Sequence, residues 1–193
     1  MQEIIIIAAM AENRVIGKNN AMPWSIKEEM VHFTKLTKGW PCIMGRKTWE
    51  SLGKKPLSGR LNVVISEKLN EVWQLCPQGM DSISVEAVLS PNNSSVPNEQ
   101  ALSPEEQRYP NIKIFPSLPA AIDYCSGYEK VFICGGESIY KQALALANKI
   151  ELSVIHNQYD GDTFFPEIDD NYWTITNKED FDDFSFITYT RKK

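Results

Sequence analysis

Histidine is scarce in this sequence: His32 and His156 are the only two among 193 residues. That excludes a histidine-rich metal centre and leaves little room for catalysis by imidazole. Positive charge is not in surplus either. Lys and Arg total 20 against 25 Asp and Glu, a net charge of −5, so no global basic field gathers nucleic acid. An anionic ligand must be held by a few locally placed cations. Long hydrophobic runs are missing. The longest, Ile4 to Ala11, has eight residues, against the roughly 20 that span a bilayer as a helix. Ala9-Met10-Ala11 imitates a leader cleavage site, but Glu3 stands where a secretory leader is basic; the run reads as a buried strand. The four cysteines (Cys42, Cys76, Cys125 and Cys134) form no CxxC and no metal-ligand spacing. A core of this size needs no disulfide staples, so reduced cysteines in a cytoplasmic protein are the economical reading. A G-x-G-x-x-G fingerprint is absent as well, which sets aside a Rossmann nucleotide site.

What is present is a core-forming composition, 42% hydrophobic and 23% charged, in a length that suits one domain over 1–193. Ile4 to Ala9 is continuous rather than alternating, as in a strand buried on both faces of a largely parallel sheet. Similar short runs recur at Pro41–Met44, Leu61–Ile65, Ile112–Phe115, Val131–Cys134 and Ile150–Ile155. Helical signals fall between them. Ser25-Ile26-Lys27-Glu28 predicts a capping box that opens a helix to about Thr37. Thr48 to Leu52 predicts a short helix. Ser117 with Pro119 opens another that Gly127 closes, and Glu137 to Ala147 a third full one. Trp173–Thr176 and Phe184–Tyr189 predict a C-terminal antiparallel strand pair. The sum is a three-layer α/β fold with a mixed, mostly parallel sheet flanked by helices. Cys76 to Asn111 holds five of the eleven prolines and reads as part of a surface insertion, about 68–111, rather than as a second domain.

Four constellations carry chemistry. On the helix after Ser25, the apolar face steps through Ile26, Met30, Phe33 and Leu36 or Thr37, and Glu29 points with it. An inward carboxylate costs several kcal/mol of desolvation, about 2–7 for a polar group left unpaired. It is therefore either satisfied locally, by backbone or the Trp24 N–H, or it is a carboxyl of raised pKa on the floor of a pocket for a polar heterocycle. Cys42-Ile43-Met44-Gly45-Arg46-Lys47-Thr48 runs a strand into glycine, two cations and a hydroxyl at a helix start. That suits a phosphate or is a solvated basic turn; it fails the Walker A spacing. Val131 to Ser138 runs a buried strand into Gly135-Gly136, where backbone can approach a ligand closely. Arg60, after Leu57-Ser58-Gly59, is either a surface arginine or a bidentate clamp for a carboxylate.

Taken in order, these segments resemble the dihydrofolate reductase family. The resemblance is carried by Ala8–Gly17, Asn20–Trp24, Ile43–Gly53, Pro56–Asn62, Ile133–Tyr140 and Gly161–Pro166, and it spans the chain apart from about 68–111. It implies an eight-stranded mixed sheet and the NADPH-dependent reduction of 7,8-dihydrofolate to tetrahydrofolate. Catalysis is thereby assigned to Glu29, supported by Trp24, Ser153 and the lid residue Met22. The resemblance places Ile7, Met30, Phe33, Leu52, Leu57, Cys134 and Tyr140 in the substrate pocket and Arg60 on the glutamate α-carboxylate. It places Ala9, Ile16, Gly17, Gly45, Arg46, Lys47, Thr48, Ser66, Gly135, Gly136, Glu137, Ser138 and Ile139 around NADPH. Glu12–Trp24 matches a mobile lid and Gly161-Asp162 the loop that holds it closed. A monomeric cytoplasmic enzyme that binds antifolate inhibitors, with no metal, nucleic acid or membrane partner, follows from the same resemblance. Two other readings stand beside it: a pyrimidine reductase of riboflavin biosynthesis, which would not require Glu29, Trp24 and Arg60 together, and a folate-binding protein without catalysis.

Overall fold

The computed structural model describes residues 2–67 and 111–192; nearly all of the expected insertion lies outside the described residues. In chain order the elements are β1 (Glu3–Ala11), β2 (Val15–Gly17), α1 (Lys27–Thr37), β3 (Cys42–Gly45), α2 (Arg46–Ser51), β4 (Asn62–Ile65), β5 (Ile112–Phe115), α3 (Leu118–Tyr124), β6 (Lys130–Ile133), α4 (Glu137–Ala143), β7 (Lys149–Ile155), β8 (Thr163–Phe164), β9 (Trp173–Asp180) and β10 (Phe184–Arg191). Eight strands form one sheet in the order β5-β4-β3-β6-β1-β7-β10-β9. Five of its pairings are parallel; β10 runs antiparallel to both β7 and β9. The mixed sheet and its antiparallel C-terminal pair are those expected from the strand runs.

The unbroken isoleucines of β1 are explained by burial on both faces. Ile5 and Ile7 enter a core with Met44, Trp49, Val64 and Phe132, covered by Phe33 and Leu36 of α1. Ile6 and Ala8 enter the opposite core with Ile43, Val63 and Ile133, covered by α3 and α4. Helices on both faces of the sheet make three layers. From β1 the chain moves to β3, β4 and β5 on one side. It returns through β6 to β1's other edge and there adds β7 and the C-terminal pair. Ligand crevices in such sheets open beyond the carboxyl ends of strands where the winding changes direction, here the ends of β1, β3 and β6.

Several local expectations are corrected. The Ser25–Glu28 capping box does not form: Ile26 is the N-cap of α1 and no side chain caps it, because Ser25 stands one residue outside the position from which a hydroxyl reaches the first turn. Met30 does not pack inward but is 45% exposed; the buried residues of α1 are Glu29 and Thr37. α2 begins at Arg46, two residues before the expected Thr48. α4 stops at Ala143 rather than Ala147. The next residues form a tight turn, Leu146 N–H to Ala143 O at 2.9 Å, so that Asn148 can bond Ile4 O at 2.8 Å and the chain can enter β7 beside β1. Arg191 donates to the carbonyl of Ala147 at 2.8 Å and to that of Leu144, closing the turn. α3 ends with Cys125 as C-cap, two residues ahead of Gly127. The small β2–β8 sheet was not expected at all.

At the start of α3, Ser117 accepts from the Ala120 amide. Ser117→Ala is expected to lower unfolding free energy by about 1 kcal/mol, read as a shift of the urea midpoint with an unchanged denaturant slope.

Candidate active site

Glu29 lies on the first turn of α1 and is 6% exposed. Burial raises its carboxyl above the usual glutamate range; a hydrogen bond with Ser153 opposes this in part. Ser153 sits in β7, opposite Ala9 of β1 and Phe186 of β10. The Tyr140 hydroxyl, from α4, donates to Ile7 O at 2.9 Å. It is held protonated far above its ordinary range by burial, reinforced by nearby Cys134 and Glu29. Glu29, Ser153, Tyr140 and Cys134 thus converge from α1, β7, α4 and the end of β6. Trp24 is 8% exposed, tilted against Tyr159 with ring centres 5.3 Å apart. Its indole N–H is buried without a hydrogen-bond partner among the described residues. A buried unpaired donor costs about 1–3 kcal/mol, so an acceptor beside Trp24 fits the site. Met22, Met30 and Leu52 are large apolar side chains left 49%, 45% and 37% exposed, on the segments that carry Trp24, Glu29 and the end of α2. Ile7 is buried, Phe33 and Leu57 half-buried.

Arg60 is 6% exposed, and no carboxylate pairs with it among the described residues. Its Nη1 donates to Thr37 Oγ1 at 2.8 Å and its Nε to Ser58 O at 3.1 Å. Its guanidinium carbon lies 5.6 Å from the centre of the Phe33 ring. A buried cation without a counter-ion is costly and marks an anion site. Two residues to which the sequence reading gives no role toward Arg60 hold it there. Thr37 donates its own hydroxyl proton to Phe33 O at 2.7 Å and leaves its lone pairs for Arg60. Asn62 is wholly buried and stitches the preceding loop: its amide donates to Leu57 O and Arg60 O, and its oxygen accepts from Leu57 N–H. The available signal was an asparagine inside the apolar run Leu61–Ile65.

The glycine turns meet at the carboxyl ends of β3 and β6. Gly45 N–H donates to Gly135 O at 2.7 Å. A Cβ on Gly135 would lie 3.0 Å from the Tyr140 hydroxyl, and Gly135 has a φ of +107°, so this cradle requires glycine. Gly136 is the N-cap of α4, with Ile139 buried behind it and Ser138 exposed. Thr48 faces Gly136 across the gap. Lys47 is exposed and makes no ion pair among the described residues. Arg46, by contrast, is paired with Glu50 at 2.7 Å. Glu137 commits its carboxylate to Lys141 and the Phe164 amide, which leaves only its backbone for an anionic ligand. Arg46, Ile65, Ser66 and Glu67 line a cleft of about 270 Å³ nearby.

The loop from Glu12 to Trp24 is tied to residues 157–165. Asp162 Oδ2 accepts from Asn19 N–H at 3.0 Å, Asp162 N–H donates to Gly17 O at 3.1 Å, and Phe165 N–H to Arg14 O at 2.8 Å. Lys18 pairs with Asp160. Ile16 is half-buried on β2, and Ala9 half-buried on β1. The two loops touch so closely at Gly161 that a Cβ there would stand 2.3 Å from Val15 Cγ1 and 2.8 Å from Gly17 O. Gly161→Ala is therefore expected to push the loops apart, costing about 1–3 kcal/mol of stability. Turnover should fall with it, checked by thermal melts and single-turnover kinetics.

A three-layer α/β protein whose described residues include one buried carboxyl, one buried arginine without a carboxylate partner and a glycine cradle between parallel strand ends is built as an enzyme for a small anionic heterocycle. The dihydrofolate reductase family model matches residues 3–96 and 98–191. A dihydrofolate reductase of Neisseria gonorrhoeae is 39% identical over 173 residues, 90% of this chain and 85% of that one. One from Bacillus subtilis is 30% identical over 196 residues, 98% and 95%. The solved structure of dihydrofolate reductase from Enterococcus faecalis, complexed with NADP(H) and RAB-propyl, superposes with a TM-score of 0.72 at 23% identity, covering 99% of this chain and 97% of that one. The chain belongs to the dihydrofolate reductase family.

Proposed function

We propose that the chain reduces 7,8-dihydrofolate to 5,6,7,8-tetrahydrofolate with NADPH, as a single-domain, monomeric, cytoplasmic enzyme open to antifolate inhibitors. The observation that supports this reading is the buried Glu29 carboxyl, hydrogen-bonded to Ser153, with Arg60 buried beside Phe33 of the same helix and without a carboxylate partner among the described residues. The C6=N5 imine of the substrate accepts hydride only when N5 is protonated. Glu29 hydrogen-bonds the pterin 2-amino group and N3, and burial, which raises its carboxyl above the usual glutamate range, keeps a proton available to higher pH for delivery toward N5 through water. Trp24 and Ser153 orient that water and the carboxyl. Ile7, Met30, Phe33, Leu52, Leu57 and Tyr140 enclose the pterin and benzoyl rings, and Arg60 clamps the glutamate α-carboxylate bidentately.

The cradle fits a dinucleotide. Gly45, Gly135 and Gly136 allow close approach of its pyrophosphate, with backbone amides of Glu137 to Ile139 and the Lys47 ammonium facing the negative charge. Thr48, Arg46 and Ser66 take the ribose and phosphate of the adenosine half, while Ala9, Ile16 and Gly17 flank the nicotinamide. When bound, NADPH supplies the hydride. The Met22-bearing lid excludes water from the reacting atoms.

The deciding assay follows NADPH oxidation with dihydrofolate, with and without methotrexate. Dihydrofolate-dependent, methotrexate-blocked oxidation is expected. Turnover only on the pyrimidine intermediate of riboflavin synthesis would assign the other reductase, and tight methotrexate binding without turnover would leave a binding protein.

A further inference from the structure

Two neighbouring thiols are unused by this chemistry. Cys42 lies on β3 and Cys134 follows β6; the strands are parallel, with Cys42 opposite Phe132 and Ile43 opposite Ile133. The Cys134 amide donates to Ile43 O at 2.8 Å and continues the ladder. Since side chains alternate along a strand, Cys42, Phe132 and Cys134 project to one face and Ile43 and Ile133 to the other, as the two cores record. On that shared face the two side chains pack in one core, Cys42 close enough to perturb the Cys134 thiol, while Cys42 Sγ lies 3.9 Å from Trp40 O and Cys134 Sγ 3.8 Å from Phe132 O. Cys42 is wholly buried and Cys134 half-buried, so a reagent reaches the pair only from the Cys134 side. That is the side on which Tyr140 and Glu29 sit.

The electrostatics favour one kind of ligand. Contact with Cys42 and burial push the Cys134 thiol well above its ordinary range, which suppresses thiolate and with it attack on peroxides or monofunctional alkylating agents. Among the described residues no group of three or more histidine, cysteine and carboxylate side chains gathers, so they offer no four-ligand set of the kind tetrahedral zinc takes. A ligand that forms two sulfur bonds gains from both thiols at once, the second bond being intramolecular. Soft thiol sulfurs select soft acceptors.

We propose that Cys42 and Cys134 form a two-thiol site for a thiophilic trivalent metalloid, entered through the substrate pocket. With phenylarsine oxide as the probe, the arsenic–oxygen bonding is lost and two arsenic–sulfur bonds form. Both thiol protons leave with the oxygen as one water, and neither arsenic nor sulfur changes oxidation state. Occupancy places the arsenic against the pocket floor and blocks turnover.

The experiment treats the reduced full-length chain with phenylarsine oxide, desalts it and measures intact mass. The expected result is one phenylarsenic group per chain, retained through excess glutathione and removed by 2,3-dimercaptopropanol. Cys134→Ser and Cys42→Ser are each expected to lose retention, Cys76→Ser and Cys125→Ser to keep it. Should Cys42→Ser not fold, Cys134→Ser at the half-buried position decides alone. An unlabelled wild type, or retention that survives Cys134→Ser or vanishes with Cys76→Ser or Cys125→Ser, overturns the proposal. Protection by methotrexate is expected in addition and depends on the substrate reading; the variants do not, so the two can fail separately.

Discussion

Glu29→Gln is expected to slow hydride transfer at neutral pH by roughly two to four orders of magnitude, the range of general acid–base catalysis, and to recover part of that loss in acid. The amide preserves size and much of the hydrogen bonding to a pterin but holds no transferable proton. Solvent must then protonate N5, and the rate climbs steadily as pH falls. In the wild type, burial raises the Glu29 carboxyl, so its protonated form persists to higher pH than an exposed glutamate would allow. The hydride-transfer rate should fall as pH rises through that raised value, and the inflection should vanish in Glu29→Gln. Single-turnover kinetics across pH, monitored on NADPH, read both. A variant with undiminished rate at pH 7 would remove Glu29 from the chemistry.

The same substitution makes a prediction about stability with its sign fixed by linkage. The unfolded chain releases this proton near the ordinary glutamate value of about 4.3, whereas the folded protein holds it to higher pH. Between those two values the native state binds more protons, so stability declines as pH rises through the interval. Glutamine has no charge to bury. The variant should melt higher than wild type at pH 7, and the difference should close below pH about 4. A gain in stability with a loss of rate is the signature of a residue kept for function.

How far the sequence led depends on how local the determining physics is. The β1 run was legible because four successive isoleucines, burying both faces, leave a strand inside a parallel sheet few alternatives. Glu29 was legible because a helical period places it among apolar neighbours, which local sequence alone records. The capping box misled because Ser25 and Glu28 have the right spacing, yet only the backbone around Ile26 decides which residue stands at the cap. Met30 misled for a related reason: a helical period sorts side chains by face but does not say whether another element covers that face, and Met30 is left 45% exposed. The β2–β8 pairing joins residues about 150 positions apart, and the close approach that demands Gly161 appears only when those strands meet. Asn62 showed only as an asparagine inside an apolar run, and Thr37 carries no signal of its own, since its role exists only through Arg60, reached across a tertiary contact.

That second layer gives the Arg60 prediction its shape. Arg60→Ala is expected to weaken dihydrofolate binding by about 2–3 kcal/mol, the net worth of charge-assisted hydrogen bonds, or roughly 30- to 150-fold. NADPH affinity should stay unchanged. The guanidinium already has Nη1 on Thr37 and Nε on Ser58, so its orientation is fixed before substrate arrives and little ordering cost remains for the clamp. Arg60→Lys should recover only a small part, since an ammonium brings charge without the planar fork and cannot reproduce both anchors. The discriminating control is a substrate without the glutamyl tail. If Arg60 acts on the tail carboxylate, wild type and Arg60→Ala should bind a tail-less dihydropterin equally, and the loss should appear only with the full substrate. An equal loss on both would mean that Arg60 supports the pocket through Phe33 and Thr37 rather than by contact with the ligand. Fluorescence quenching titrations with the two substrates and with NADPH separate these outcomes.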